Sequence, residues 1–130
     1  MSEEALKFIA DQLALLGVPY SFMTWNTNPV PNPYFVGEYS EAEPFTEDGL
    51  QESTFIITGT TRGTWLALEQ AKNKIKKHFG TSEGKTAILG NKSGVAVFYA
   101  NSFPIPTGDG EFKRIQINLT VKEWSVNEWQ

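Results

Sequence analysis

The stretch RIQINLTVK, residues 114–122, has the clearest strand pattern in the chain. Apolar residues stand at every second position and polar residues stand between them: Ile115, Ile117, Leu119 and Val121 against Gln116, Asn118, Thr120 and Lys122. Because successive side chains of a strand point to opposite faces, this alternation predicts a strand with one face on a core. The fold therefore contains a sheet with an apolar side that other elements must cover.

Two segments have the apolar spacing of amphipathic helices, residues 3–16 and residues 65–79. Apolar side chains three and four positions apart fall on one stripe of a helix, and that stripe packs against a core. Ser2 is placed to cap the first helix, and Thr61 or Thr64 to cap the second. A glycine follows each segment, as is common where helices end.

Five further segments are predicted to be strands, because they are rich in β-branched or aromatic residues and are bounded by turn residues: 20–25, 34–43, 53–60, 85–90 and 95–102. The element order is α-β-β-β-α-β-β-β, and the second and third strands form a long hairpin with an acidic tip. Gly37 is placed to form a bulge in the second strand. The predicted class is α+β, with two helices packed on one face of a mostly antiparallel or mixed sheet. We expect one domain over residues 1–130, with residues 125–130 as a mobile C-terminal tail.

The chain contains no cysteine and a single histidine, His78, which narrows the chemistry that it can perform. Without thiols, disulfides, thiolate zinc sites, iron–sulfur clusters and cysteine nucleophiles are excluded. One histidine argues against histidine-based metal sites and Ser-His-Asp catalysis, and its position among lysines is typical of a surface residue. We therefore predict no catalytic residue, no cofactor and no bound metal. An enzyme that uses an acidic residue with His78, a hydrolase or an isomerase, is the least favoured alternative.

Residues 80–86, GTSEGKT, approach the pattern of a phosphate-binding loop but depart from it. The segment is one residue short between its glycines. It also leads from a helix into a strand, so no helix N-terminus would face a phosphate. We therefore predict no nucleotide site there.

Nothing in the sequence predicts membrane insertion or secretion. The longest apolar run, residues 95–100, has six residues, whereas a spanning helix needs about 20. The first residues, MSEE, are acidic, whereas a secretory signal begins with basic residues followed by apolar ones. We expect a soluble protein of a reducing compartment.

The two halves of the chain carry opposite net charge. Residues 1–60 hold nine acids and one base, net −8, and residues 61–130 hold ten bases and six acids, net +4. One interpretation is that each half only solvates its own outer surface. The other is that an acidic patch on one copy contacts a basic patch on the next, as in a head-to-tail ring. A net-acidic chain is poorly suited to non-specific binding of nucleic acid.

Three groups of residues are candidates for contacts with subunits or partner proteins. The acidic group lies in the predicted hairpin: Glu38, Glu41, Glu43, Glu47 and Asp48. The basic group lies on the second helix: Lys72, Lys74, Lys76 and Lys77. The third group is Trp124 and Trp129 near the C-terminus, because tryptophan is enriched where proteins make their strongest contacts.

The segments TGTTR, residues 58–62, and VKEW, residues 121–124, stand before the second helix and at the end of the last strand. Together with the element order and the size of the chain, they resemble the tail terminator proteins of long-tailed phages, over most of residues 3–124. Such proteins are also described as minor tail, tail-completion or head–tail joining proteins. The resemblance implies a homo-oligomeric ring, usually a hexamer, that caps the tail tube, holds no cofactor and catalyses nothing.

The resemblance also implies the partners and the location. The ring would contact the major tail protein on one face and the head-connector proteins on the other, in the tail of a virion assembled in the host cytoplasm. DNA would pass through the ring without specific binding. An acidic hairpin that lined the hole would repel the phosphates of DNA.

A small-molecule-binding module is the alternative interpretation of the same α+β outline. Its pocket would be lined by aromatic residues, with Glu38 as the polar anchor: Tyr20, Phe22, Trp25, Tyr34 and Tyr39.

Overall fold

The structure, a computed structural model, describes residues 1–25, 28–41, 50–81, 84–89 and 93–124. Along the chain its elements are α1 Glu3–Leu15, β1 Tyr20–Phe22, β2 Tyr34–Glu41, β3 Leu50–Thr61, α2 Trp65–Phe79, β4 Lys85–Ile88, β5 Gly94–Ile105 and β6 Lys113–Trp124. In the sheet the strands lie in the order β1-β2-β3-β6-β5-β4. β1 is parallel to β2, and every other neighbouring pair is antiparallel.

The predicted α+β class is wrong, because the structure is mostly β. Strands β3, β5 and β6 are each 12 residues long and form the centre of a six-stranded mixed sheet, which curves as a half-barrel. Pairing with β6 extends β3 and β5 into residues outside the strands predicted over residues 53–60 and 95–102. Pro104 is an example, since it lies in β5 opposite Ile115. β4 pairs only with residues 94–97 of β5, so Pro104 lies in a part of β5 that β4 does not reach. Proline is tolerated at such edge positions of a sheet.

Both helices pack on the inner face of the sheet through one shared core. The helices contribute fully buried residues at helical spacing: Ala5, Ile9 and Leu13 from α1, and Leu68, Ile75 and Phe79 from α2. β6 contributes the four apolar residues that its alternating pattern placed on one face: Ile115, Ile117, Leu119 and Val121. The alternation predicted for residues 114–122 is thereby confirmed, and the outer face of the sheet is the side that the helices leave uncovered.

The first helix is capped as predicted, and its cap is also tied to the sheet. Ser2 Oγ accepts a hydrogen bond from the Ala5 N–H at 3.1 Å and donates one to the carboxylate of Glu123 at 2.7 Å. The Ser2 N–H donates to the other carboxylate oxygen at 3.1 Å. Glu123 lies in β6 and is only 9% exposed. One small side chain therefore joins the start of α1 to the central strand.

Replacing Ser2 with alanine is expected to lower the free energy of unfolding by about 2 kcal/mol, because it removes both a helix cap and a hydrogen bond to a buried charge. Ser40→Ala is a matched control, since Ser40 is exposed on β2. It should change stability by less than about 0.5 kcal/mol. Chemical denaturation followed by circular dichroism measures both values, and equal losses would contradict the role given to Ser2.

The sequence predicted the role of Gly80 correctly and the role of Gly37 incorrectly. Gly80 ends α2 with φ of 75°, as expected. The bulge predicted at Gly37 is wrong, because β2 and β3 pair without a shift there and the irregularity lies in β5, between Tyr99 and Asn101. Gly37 instead makes room for two rings: a Cβ there would lie 2.6 Å from Phe55 Cζ and 2.7 Å from Tyr20 Cε1.

Candidate subunit interface

The uncovered outer face of the sheet has a polar centre. Gln116 Nε2 donates to Asn118 Oδ1 at 3.0 Å, and Asn118 Nδ2 donates to Asn101 Oδ1 at 2.8 Å. Trp124 and Phe103 stand on the same face and are 41% and 44% exposed. This face therefore presents a row of amides with large exposed rings at two of its margins, a composition that suits contact with another protein.

The acidic group lies near the β1 edge of the sheet. Glu38 and Glu41 are exposed on β2, and the Glu41 carboxylate contacts the N-terminal ammonium of Met1 and accepts a hydrogen bond from Gln51 at 3.3 Å. Glu52 is exposed on β3, one strand further in. The other three predicted acidic residues lie outside the described residues: Glu43, Glu47 and Asp48.

For the residues that the structure describes, part of this edge has no strand beside it. β1 pairs with Phe35, Val36 and Gly37 of β2. From Glu38 to Glu41, the edge of β2 that points away from β3 has no strand partner among the described residues. An unpaired, charged edge of this kind can approach another chain without displacing any part of its own sheet.

The four predicted lysines of α2 do not form one patch. Lys72 Nζ lies 3.1 Å from the Glu69 carboxylate, and Lys76 Nζ lies 5.4 Å from the centre of the Tyr99 ring. Both are thus engaged within the chain. Lys74 and Lys77 lie on another side of the helix, because positions two and five residues beyond Lys72 are rotated well away from it.

Lys74 and Lys77 line a basic cleft, defined by residues Leu16, Lys74, Lys77, His78 and Lys85, with a volume of about 380 Å³. The cleft lies where the C-terminal end of α1 meets α2 and the edge strand β4. Among the described residues that line it, three are lysines and none is acidic. It therefore offers a concentrated positive charge to an anionic group.

His78 belongs to this cleft and differs from the exposed surface residue that the sequence predicted. Its ring is half-buried, and its Nε2 lies 2.7 Å from Gln12 Oε1 of α1. Because a carbonyl oxygen accepts, Nε2 carries the proton in this bond. Burial, and then the charge of Lys85, lower the pKa of His78 below its usual value of 6.5. At neutral pH the ring is therefore uncharged, and the positive charge of the cleft comes from its lysines.

The aromatic residues of the alternative, ligand-binding interpretation form separate pairs. Tyr20 packs on Phe55 with ring centres 6.2 Å apart, Phe22 stacks on Tyr39 at 6.2 Å, and Trp25 packs on Tyr34 at 5.8 Å. Burial raises the pKa of Tyr20 to about 12, as expected for a partly buried ring that packs against the core. The rings stabilise the β1–β2 corner. The strand register places Tyr20, Phe22 and Tyr39 on the inner face of the sheet, whereas Tyr34 and Glu38 lie on the outer face.

Two other cavities lie on the surface. One of about 380 Å³ is lined by Val30, Asn32, Tyr34, Arg62 and Phe112, and its arginine lies 4.8 Å over the phenylalanine ring. The other, of about 500 Å³, lies beside β5 and β6. No cluster of three or more potential metal ligands occurs among the described residues. Within the same residues, neither helix is long and apolar enough to span a membrane.

The sequence analysis missed two members of the basic cleft, Leu16 and Lys85. Both stand at the ends of elements, where side chains are positioned by packing between elements and not by periodicity along one of them. The spacing of Lys74 and Lys77, three residues apart, is the one local signal that these two side chains share a side of the helix. Trp124 is 41% exposed, and Trp129 lies outside the described residues.

Comparison with known proteins yields a similarity of fold. No protein-family model and no curated protein sequence matches the chain. Among solved structures, a chain from the virion of a native gene transfer agent particle has 13% sequence identity and a TM-score of 0.65. The similarity covers 89% of this chain and 86% of that chain. The chain thus has the fold of a protein found in a virion-like particle.

Proposed function

We propose that this protein is a structural component of a phage-like virion, and that its copies join head to tail into a ring. In this proposal the ring is a hexamer that caps the tail tube, contacts the major tail protein and the head connector, and lets DNA pass without specific binding. The protein has no catalytic role. The fold shared with a chain of a gene transfer agent virion supports the structural role.

One observation supports the ring: acidic residues lie near one edge of the sheet, and basic residues lie near the opposite edge. The acidic residues of β2 lie next to edge strand β1, and the basic cleft includes the first residue of the other edge strand, β4. Between β2 and β4 lie four inter-strand spacings, or about 19 Å. A head-to-tail contact needs two different, complementary surfaces on the same molecule, and a rotation that closes such contacts generates a ring. The centre of the outer face, with its amides and exposed rings, remains available for the tail and connector proteins.

The oligomeric state tests this proposal directly. Sedimentation velocity and native mass spectrometry, from micromolar to millimolar concentration, should reveal one discrete oligomer of the 14.5 kDa chain. Because contacts between exposed charges are screened by salt, the oligomer should dissociate more readily as ionic strength rises. A protein that stays monomeric over the whole range, or that forms open filaments of growing length, would contradict the ring.

A further inference from the structure

We infer that the basic cleft forms one side of the subunit contact and that it binds the Glu38 carboxylate of a second copy. This inference rests on the proposed ring and assigns the residues of its contact. The cleft is open, has no acidic side chain among the described residues that line it, and gathers Lys74, Lys77 and Lys85 around about 380 Å³. A carboxylate that entered it would meet several ammonium groups at once, which gives a stronger interaction than one exposed ion pair.

The cations of the cleft have no acidic partner within the part of the chain that the structure describes. None of the ion pairs between described residues involves Lys74, Lys77 or Lys85. By contrast, Lys72 and Lys76 already have Glu69 and the Tyr99 ring as partners. The α2 lysines are therefore divided into an engaged pair and a pair that faces the cleft.

Among the described acids of the β2 edge, Glu38 is best placed to reach another molecule. Glu41 is occupied by the N-terminal ammonium and by Gln51, and Glu52 lies on β3, which is paired on both sides. Glu38 is exposed on β2, at the point where the edge of this strand that points away from β3 has no partner among the described residues. It can therefore enter a neighbouring cleft without rearrangement of the sheet.

Exposed apolar residues lie near both sides of the inferred contact. Tyr39 follows Glu38 in β2 but lies on the inner face of the sheet, where it stacks on Phe22; the two residues are 39% and 40% exposed. Beside the cleft, Leu15 is 75% exposed and precedes the lining residue Leu16. Apolar area around a charged pair excludes water from it and supplies much of the affinity of a protein contact.

Charge exchange between the two sides tests the inference. The variant K74E/K77E reverses the cleft, E38K reverses the edge, and K72E/K76E is a control with the same change of charge on the same helix. K74E/K77E and E38K alone should each raise the dissociation constant of the oligomer about a hundredfold, because like charges then meet. The control should shift it less than about threefold, because neither Lys72 nor Lys76 is among the residues that line the cleft.

Mixing the two reversed variants gives the decisive result. A K74E/K77E subunit presents a negative cleft and a negative edge, and an E38K subunit presents a positive cleft and a positive edge. Each is repelled by itself, but in an alternating ring every contact is again complementary. The equimolar mixture should therefore recover oligomers with an even number of subunits. Recovery also shows that both variants are folded, and melting temperatures measured alongside confirm it.

The NMR signals of His78 provide a second test of the contact, one that does not depend on measuring the mass of the oligomer. It is the only histidine of the chain and lines the cleft, so its ring proton signals in an NMR spectrum are unique. They should shift when the wild-type protein associates and when the control does, but not in concentrated K74E/K77E.

The outcomes separate the two proposals. A wild-type protein that never associates would defeat the ring itself. A wild-type oligomer that persists in K74E/K77E or in E38K, that weakens equally in the control, or that is not recovered by mixing would leave the ring intact and overturn the assignment of cleft and Glu38.

Discussion

Replacing Leu68 with alanine is expected to lower the free energy of unfolding by about 2–5 kcal/mol, whereas the same change at Leu66 should lower it by less than about 0.5 kcal/mol. The two leucines lie two positions apart on α2 and lose the same atoms on truncation. Leu68 is fully buried in the core, and Leu66 is 61% exposed. The difference between the variants therefore isolates burial, because helix propensity and side-chain chemistry are shared.

The measurement is chemical denaturation of both variants at a concentration where the protein is monomeric. An unchanged slope of free energy against denaturant would show that the loss comes from the native state and not from a different unfolding reaction. Similar losses at the two positions would contradict the packing of α2 on the sheet. They would also remove the support for the basic cleft, since that packing positions Lys74, Lys77 and His78.

The sequence predicted those elements whose pattern is local. Alternation along β6 marked its buried face, and the spacing of Leu68, Ile75 and Phe79 marked the buried stripe of α2. Ser2 and Gly80 marked helix ends because capping depends on a few neighbouring atoms. In each case one segment contains all the information needed, and the structure agrees.

The sequence failed where a residue's state depends on a distant strand. Pro104 lies outside the strand predicted over residues 95–102, yet pairing with Ile115 holds it in β5. Extensions of this kind lengthen the strands and change the class from α+β to mostly β. The basic cleft is similar, because Lys85 joins Lys74 and Lys77 only through the packing of β4 beside α2.

Strand order is the clearest instance of non-local information. The acidic excess of residues 1–60 was visible in the sequence, but the separation of acidic and basic residues to opposite edges follows from the order β1-β2-β3-β6-β5-β4. β6, the last strand, inserts between β3 and β5 and thereby keeps the β1–β3 half of the sheet apart from the β4–β5 half. Charge composition alone therefore predicted complementary patches without predicting where they would lie.

Replacing Gly59 with alanine is expected to lower the free energy of unfolding by about 2–3 kcal/mol, because the added methyl group overpacks the core. Gly59 lies in β3 directly opposite Phe35 of β2, and the phenylalanine ring lies across it. A Cβ at Gly59 would stand 2.3 Å from Phe35 Cε2 and 3.2 Å from Ile115 Cγ2. Phe35 is fully buried, so its ring cannot turn outward to relieve the overlap.

A second substitution makes this prediction specific to the overlap. In the Gly59→Ala background, Phe35→Leu removes the ring atoms that the methyl group meets, so the double variant should be more stable than the sum of the two single losses predicts. A double-mutant cycle should give a favourable coupling of about 1 kcal/mol or more between the two positions. Gly110→Ala is the control, because a Cβ there has no atom within 4 Å and stability should hardly change.

The same cycle bears on the inferred contact through the position of β2. Close approach of the Phe35 ring to the backbone of Gly59 seats β2 against the core, and Glu38 follows three residues later on that strand. If Gly59→Ala shifts β2, it should weaken association in folded protein, and Phe35→Leu should restore it together with stability. Additive losses in the cycle would instead show that Gly59 and Phe35 do not share a steric limit, and the glycine of the TGTTR segment would then need another explanation.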